Sequence, residues 1–323
     1  TPITFVASAN CVRYCGGEVV FSDIDPDTYL LDIDKVKKLL EASPRGTYKG
    51  IIPVDFAGRV PQLDAFKELA DEHNLWIIED ACHSPGGHFI DKNENPQKAG
   101  NGQFANISIF SFHPVKHIAT GEGGMMTTND PKLYKQLMEL RTHGITRDQS
   151  TFENSIDFAN GNSSEPQTDY PGWYMEMHEL GYNYRITDIQ SALGITQLAR
   201  ADEGLERRRE IAKKYADGLS NLSSVIHSSN FIEGHAYHLY VLEVENRRGL
   251  YDHLRKHSIY AQIHYIPVHL MPYYKSMGWR EGDLLHAEKY YSRCISIPMF
   301  PTLTDDEQHF VIETIKQFYS ERV

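Results

Sequence analysis

The sequence is short of cysteine, of long apolar runs and of basic residues, and each shortage excludes a class of protein. Only four cysteines occur in 323 residues, at irregular spacings, which argues against a disulfide scaffold or a zinc ribbon and suits a reducing compartment. No apolar run approaches the roughly 18 residues that a membrane-spanning helix needs. No signal-peptide pattern is visible either, so we expect a cytoplasmic protein without a membrane partner.

Acidic residues outnumber basic ones by 44 to 32, which leaves a net charge of −12. An acidic surface repels phosphate polymers, so we expect no nucleic-acid partner. The residues are 41% hydrophobic and 24% charged, which is the composition of a globular protein.

Several familiar active-site motifs are absent. The sequence has no Walker loop and no Gly-x-Ser-x-Gly nucleophile elbow. Residues 100–105 match the loose dinucleotide fingerprint, but they follow a polar stretch instead of a strand, which argues against a nicotinamide site. His113 and His117 are separated by Pro114 and its neighbours, and none of the sixteen histidines has metal-ligand spacing. We therefore expect no metal.

Strand and helix signals alternate along the chain. Apolar runs predict strands at residues 18–22, 50–54, 75–78, 107–112, 124–128, 237–244 and 259–265. Capping residues and helical periodicity predict helices after Asp32, Asp130 and Thr304, and at residues 61–73, 186–199, 202–219 and 249–257. Short strands between helices indicate βαβ units, so we predict an α/β fold with a mostly parallel sheet flanked by helices.

Two features determine the predicted domain organisation. Residues 148–175 are polar and rich in turn formers, and they predict a long surface loop. We place a boundary near residue 200, between a large domain of residues 1–200 and a smaller C-terminal α+β domain of residues 201–323. In the second domain the basic run Arg207, Arg208 and Arg209 predicts a solvated helix face.

Two predicted strands lead into residues that can carry chemistry. The strand at 75–78 leads to Asp80, and the strand at 107–112 carries Ser111 and leads to Lys116. Ligands of open α/β sheets bind outside the carboxyl ends of the strands, so this acid and this lysine form a candidate site. Pyridoxal phosphate uses both groups, because it needs a lysine for its Schiff base and a carboxylate for its ring nitrogen.

At these residues the sequence resembles a known family. The matching motifs are Glu-Asp-Ala-Cys-His at 79–83, Ser-Phe-His-Pro-Val-Lys at 111–116, Gly-Glu-Gly-Gly at 121–124 and Leu-Gly-Tyr-Asn-Tyr-Arg at 180–185. In this order they resemble the DegT/DnrJ/EryC1/StrS sugar aminotransferases. The resemblance implies a fold-type I pyridoxal phosphate enzyme that aminates nucleotide-linked keto-sugars.

The resemblance also implies a role for each matching residue. Lys116 matches the Schiff-base lysine and proton shuttle, and Asp80 matches the partner of the pyridine nitrogen. His83 matches a ligand of the cofactor's phenolic oxygen, and Phe5 a ring that stacks on the cofactor. The remaining matches are the phosphate ligands Ser111 and Asn183, the latter reaching from the other subunit, and the substrate-binding residues His264, Tyr265, Tyr184, Arg185 and His113.

For the reaction, the resemblance implies a homodimer with shared active sites, glutamate as the amino donor and a UDP-linked 4-keto-6-deoxy-N-acetylhexosamine as the acceptor. Residues 141–146, 173–180 and 263–269 favour this acceptor. Two alternatives stay open: an aminotransferase for another nucleotide-linked 3- or 4-keto sugar, and a non-catalytic binding protein of the same fold. Sugar dehydratases of this kind carry a histidine where Lys116 stands. We also expect the chain to lack the family's N-terminal phosphate-binding turn.

Overall fold

The chain folds as two units in the computed structural model, which describes residues 1–163, 165–228 and 231–320. The first unit comprises Thr1–Thr127 and Ile189–Val323, and the second comprises Thr128–Asp188. The domain boundary near residue 200 stays a prediction. No helix in the described ranges is both long enough and apolar enough to cross a membrane.

The helices account for most of the regular structure. In chain order they are α1 (Ala7–Tyr14), α2 (Ile33–Glu41), α3 (Leu63–His73), α4 (Pro131–Leu140), α5 (Ile156–Ala159), α6 (Asp188–Leu198), α7 (Ala201–Leu219), α8 (Arg247–Lys256), α9 (Pro272–Lys275), α10 (Leu285–Arg293) and α11 (Asp305–Ser320).

The strands are short. They are β1 (Gly50–Ile51), β2 (Trp76–Asp80), β3 (His88–Ile90), β4 (Pro96–Lys98), β5 (Ile107–Ser111), β6 (Gly124–Thr127), β7 (Ile145–Thr146), β8 (Glu176–Met177), β9 (Val225–Ser228), β10 (Tyr240–Val244) and β11 (Cys294–Ile297).

The central sheet has the strand order β1-β2-β5-β6. Strands β1 and β5 both pair with β2 in parallel, and β6 pairs with β5 in antiparallel fashion, so the predicted α/β fold with a mostly parallel sheet is confirmed. Asp80 lies opposite Ile109 in the register. Because β2 and β5 run in the same direction, the residues that follow them leave the sheet at the same side, next to the carboxyl ends of the strands.

Helices α2 and α3 pack with this sheet through their apolar faces. The buried cluster contains Val36 and Leu40 of α2 and Phe66 and Leu69 of α3, each pair at helical spacing, together with Ile77 of β2. Full burial of each such side chain stabilises the fold by roughly 1.5–3 kcal/mol. This packing holds β2, and therefore Asp80, in a fixed position.

A second sheet, β11-β10-β9, is antiparallel. Every residue of β10 is buried, because helices α7, α8 and α11 pack into one core with it. That core includes Ile211, Tyr215, Leu242, Leu250 and Ile315. The C-terminal helix begins with the predicted capping box, since Thr304 Oγ1 accepts from Glu307 N at 3.2 Å and the Glu307 carboxylate accepts from Thr304 N at 2.9 Å.

The second unit contains α4, α5 and the pair β7–β8. The predicted cap Asp130 is confirmed, because its side chain accepts from Lys132 N and Leu133 N. The Glu176 carboxylate accepts the backbone N–H groups of Glu153 and Asn154 at 2.8 and 2.9 Å. It thereby fixes the path of the predicted loop 148–175, whose described residues hold one short helix, α5, and one 3-10 turn.

Two of the predicted strands are wrong. Residues 18–22 form no strand. Directly after them, the chain closes a turn with a single bridge between Ile24 and Leu31. Residues 259–265 make only one bridge, between Gln262 and Ser296, so their remaining backbone groups form no ladder. Sequence analysis also missed α1, α10 and β11, and the short elements α5, α9, β3, β4, β7, β8 and β9.

Replacement of Asp32 by alanine tests the capping of α2. The Asp32 side chain accepts from Asp34 N at 2.9 Å and from Lys35 N at 3.2 Å, so we expect the free energy of unfolding to fall by about 1 kcal/mol. Urea denaturation measures the loss. Asp34→Ala is the control, because Asp34 is exposed in the same helix turn and caps nothing. Equal losses in the two variants would contradict the capping role.

Candidate active site

The two strand ends that sequence analysis singled out lie side by side in the first unit. Asp80 is the last residue of β2, and Lys116 follows the neighbouring parallel strand β5 by five residues. Burial lowers the pKa of Lys116, while the nearby carboxylate of Asp80 acts in the opposite direction. The structure therefore brings this acid and this lysine within electrostatic reach of each other.

Asp80 is buried and held by hydrogen bonds on both oxygens. Ser8 Oγ donates to Oδ2 at 2.6 Å, and Cys82 N donates to Oδ1 at 3.2 Å. The Ser8 hydroxyl in turn lies 2.8 Å from Thr4 Oγ1. Sequence analysis missed Ser8, because no signal in the sequence points from the first turn of α1 to a strand end 72 residues away.

His83 is buried next to this strand end as a neutral ring. Its Nδ1 accepts from Ala57 N at 3.3 Å, so the ring proton belongs on Nε2, which lies 3.3 Å from Tyr265 Oη. Burial, followed by the positive charge of Lys116, holds the pKa of His83 well below its usual value. His83 can therefore offer an N–H donor to an oxygen without carrying a charge.

The ring of Tyr265 lies beside that of His83, and the rings of Phe5 and His264 lie beside that of Tyr265. The rings of Phe5 and Tyr265 are 6.5 Å apart, and Phe5 is 61% exposed. His264 Nδ1 lies 2.9 Å from Ser296 Oγ, and its carbonyl accepts from Tyr290 Oη at 2.5 Å. Burial, with the nearby charge of Lys116, lowers the pKa of His264 to about 4.

A row of neighbouring histidine rings begins at His83, and sequence analysis missed it. The rings of His83 and His238 are 4.3 Å apart, and those of His238 and His117 are 5.5 Å apart. Arg208 Nη1 donates to the carbonyls of Tyr237, His238 and Met299 at 3.0–3.3 Å.

The burial of Arg208 corrects the prediction of a solvated helix face. Arg208 is 4% exposed, because its position on α7 points it into the core, whereas Arg207 and Arg209 are half-buried and pair with exposed carboxylates. Three consecutive residues span about 200° around a helix, so they cannot all share one solvent-facing side.

Ser111 and His113 occupy the turn that connects β5 to Lys116. Ser111 Oγ accepts from His113 N at 3.3 Å, and the His113 carbonyl accepts from Lys116 N at 2.9 Å. The exposed His113 ring lies 3.9 Å from the Glu122 carboxylate. Ser111 is half-buried, so its hydroxyl stays accessible to a ligand.

Asn183, Tyr184 and Arg185 belong to the second unit. Asn183 forms a backbone bridge with Thr142, and Tyr184 stacks on Tyr182 with ring centroids 4.7 Å apart. All three side chains are exposed. Their predicted binding roles stay predictions.

The family model of the DegT/DnrJ/EryC1/StrS aminotransferases matches residues 1–316. The chain belongs to this family. It is 32% identical, over 98% of its length and 77% of the relative's, to UDP-4-amino-4,6-dideoxy-N-acetyl-beta-L-altrosamine transaminase from Campylobacter jejuni. Among solved structures, it is similar to Helicobacter pylori PseC, an aminotransferase involved in the biosynthesis of pseudoaminic acid, with a TM-score of 0.82 and 27% identity over 99% of this chain and 79% of that one.

A second similar structure is the PMP form of the putative sugar aminotransferase Spr1654 from Streptococcus pneumoniae. Its TM-score is 0.82, with 26% identity over 100% of this chain and 81% of that one. Aminotransferases of this family depend on pyridoxal phosphate. The chain is therefore a sugar aminotransferase that uses this cofactor, as the resemblance implied.

The residues of the first unit fit the cofactor. Asp80 supplies a buried carboxylate of the kind that pairs with a protonated ring nitrogen. Lys116 supplies an amine whose pKa is lowered by burial, and His83 supplies a neutral N–H donor beside them. Phe5 adds an exposed aromatic ring. The donor set thus matches a charged pyridine ring with an oxygen substituent.

His235 makes the stability of this region depend on pH. Its Nδ1 accepts from Tyr237 N at 2.8 Å, and burial lowers its pKa to about 3. Since an unfolded histidine titrates near pH 6.5, the unfolded chain binds a proton that the folded chain refuses, and stability falls as the pH falls below about 6.5.

The substitution His235→Asn removes this proton linkage while an amide oxygen can still accept from Tyr237 N. We expect the wild-type free energy of unfolding to fall by about 2 kcal/mol more than that of the variant between pH 7 and pH 5. Urea denaturation at each pH measures the difference. His309→Asn, at an exposed position of α11, is the control and should leave the pH slope unchanged. A parallel slope for His235→Asn would refute the assignment.

Proposed function

We propose that this aminotransferase moves an amino group from glutamate to a UDP-linked 4-keto-6-deoxy-N-acetylhexosamine, as in pseudaminic acid-type sugar biosynthesis. The observation that carries the chemistry is the placement of buried Asp80 and of Lys116 after two adjacent parallel strands, within electrostatic reach of each other. The activity of the Campylobacter relative supports the acceptor, since the similarity to that relative covers 98% of the chain. The amino donor rests on the family resemblance.

The role that we propose for each site residue follows from the charge or the hydrogen-bonding group of its side chain. When bound, pyridoxal phosphate supplies an electron sink for the carbon that bears the transferred amine. Asp80, as a carboxylate, would hold the ring nitrogen in its protonated form. His83 Nε2–H would donate to the ring oxygen, Ser111 Oγ would contact the phosphate, and Lys116 Nζ would hold the cofactor at rest.

Lys116 also serves as the acid and base. Its lowered pKa leaves more of its amine unprotonated near neutral pH, so Nζ can take the proton from the donor's α-carbon and return it at the end of the reaction. The acceptor sugar is aminated by the same proton movements in reverse. Donor and acceptor therefore use one site in turn, which gives ping-pong kinetics.

Mass spectrometry of reaction products tests this function. The enzyme is incubated with glutamate and with UDP-, dTDP- and GDP-linked keto-sugars that differ in the position of the ketone. We expect an amine product from the UDP-linked 4-keto-6-deoxy-N-acetylhexosamine, and a loss of at least about 10³-fold in rate for Lys116→Ala. Lys289→Ala, on α10, is the matched control. Amination of dTDP- or GDP-sugars alone would contradict the acceptor, and amination of no sugar would contradict the enzyme.

We also propose that two copies of the chain complete each other's sites. Helix α6 is apolar in sequence, yet none of its residues is buried, and Ile189 is 85% exposed. Val115, next to Lys116, is exposed as well. Such an apolar surface favours a second copy of the chain.

The free state of all four cysteines fits the cytoplasmic location that we propose.

Mixed dimers test the shared site. Lys116→Ala is combined with a chain that carries Asn183→Ala and changes in residues 148–175. If the partner subunit's Asn183 serves each site, one site of a mixed dimer holds only intact residues, and activity returns to about a quarter of wild type from two inactive parents. Mixing two Lys116→Ala chains is the control. Proven mixed dimers without activity, or a fully active monomer, would remove the model.

A further inference from the structure

Two carboxyl groups, those of Asp55 and Glu79, are buried together behind the strand end that carries Asp80. Asp55 is 0% exposed and Glu79 is 1% exposed, and the two carboxyl groups lie close enough for each to shift the pKa of the other. Among the ion pairs of the described residues, neither carboxylate pairs with a lysine, arginine or histidine. Two buried carboxylates so close together cannot both stay ionised without a cation, so the pair must hold a proton.

The hydrogen bonds indicate which group carries that proton. Glu79 accepts from Ser108 Oγ at 2.5 Å and from Gly100 N at 3.1 Å on each oxygen, and such donors favour the charged form. Asp55 accepts from Ser84 Oγ on Oδ2, while its buried Oδ1 receives no hydrogen bond from the described residues. A carboxyl proton on Asp55 turns this orphaned oxygen into a donor to Glu79.

Asp80 is joined to the same cluster through backbone and charge. Asp55 N donates to the Asp80 carbonyl at 3.0 Å, and Asp80 N donates to the Pro53 carbonyl at 2.9 Å. The charge of Asp80 raises the pKa of both Asp55 and Glu79. Besides these three carboxyl groups, the Cys82 thiol also interacts with Asp55, whose charge raises the pKa of Cys82. Keeping one proton in the cluster therefore lowers the repulsion on Asp80.

We propose that Asp55 is a positioning residue that holds one proton, so that Glu79 and Asp80 remain carboxylates. Asp55 touches neither cofactor nor substrate in this role; it acts through Asp80. The part of the inference that concerns the cofactor rests on the function proposed above, because that function needs an ionised Asp80 to pair with the ring nitrogen.

The stability of the full chain without added cofactor tests where the proton sits. In Asp55→Asn the amide oxygen can accept from Ser84 and the NH2 group can donate to Glu79, so we expect a melting temperature at pH 7 that is no lower than that of wild type. Asp64→Asn is the matched control. Asp64 is also buried, but its two oxygens accept Ala65 N and Lys92 N at 2.9 and 2.8 Å. An amide there must oppose one of those N–H groups, so its melting temperature should fall.

The pH dependence of unfolding gives a second measurement on the same chains. If folded Asp55 keeps its proton, unfolding releases it above about pH 5, and the wild-type unfolding constant rises about tenfold per pH unit relative to Asp55→Asn. The contributions of Glu79, Asp80 and Cys82 are present in both chains. Parallel pH curves, or an Asp55→Asn chain as unstable as Asp64→Asn, would overturn the proposal.

Activity separates the proposal from the function on which it rests. We expect Asp55→Asn to keep kcat within about threefold, whereas Asp80→Asn should lose several decades because an amide cannot hold the ring nitrogen protonated. A tenfold or larger loss in a folded Asp55→Asn chain would overturn the role of Asp55. Retained activity in Asp80→Asn would instead contradict the proposed function.

Discussion

The parallel pairing of β2 with β5 is the constraint on which the site depends. A shift of one residue in this register would turn every side chain of the shifted strand to the opposite face of the sheet. The observed register sets Asp80 opposite Ile109, so the turn that carries Ser111 and Lys116 emerges beside the buried carboxylate. Packing of α2 and α3 on the sheet stabilises that register, and the chemistry inherits its precision from the core.

Burial then determines the charge of each group at this edge. Desolvation lowers the pKa of Lys116, His83 and His264 because each loses the water that stabilises its cation. The same desolvation forces a proton onto one of the acids behind the sheet. The fold thus keeps His83 and His264 neutral and leaves the negative charges on Asp80 and Glu79.

Sequence analysis predicted the central sheet and two key side chains because strand ends leave a local signal. The apolar runs before Asp80 and Lys116 are contiguous, and each predicted strand lies within two residues of the observed one. Asp55 follows the run at 50–54 in the same way, so the same rule could have found it.

The rest of the site depends on contacts between distant parts of the chain. Ser8 reaches Asp80 from 72 residues away, and Tyr265 reaches His83 from 182 residues away. The failed strand at 259–265 has the same origin. Its apolar residues are compatible with a strand, but His264 and Tyr265 contact Ser296 and His83, partners that only the folded chain supplies.

Arg208 limits how this sequence can change over time. Its guanidinium joins α7 to the segment before β10 and to Met299 through three buried carbonyls. A single substitution there would leave all three carbonyls without this donor at once. Each carbonyl costs about 1–3 kcal/mol of stability when it is buried without a donor. Its neighbours Arg207 and Arg209 contact exposed acids and each donates to only one carbonyl, so their loss leaves fewer acceptors without a donor. Among homologous chains, the middle arginine of this run should therefore vary far less than the two beside it.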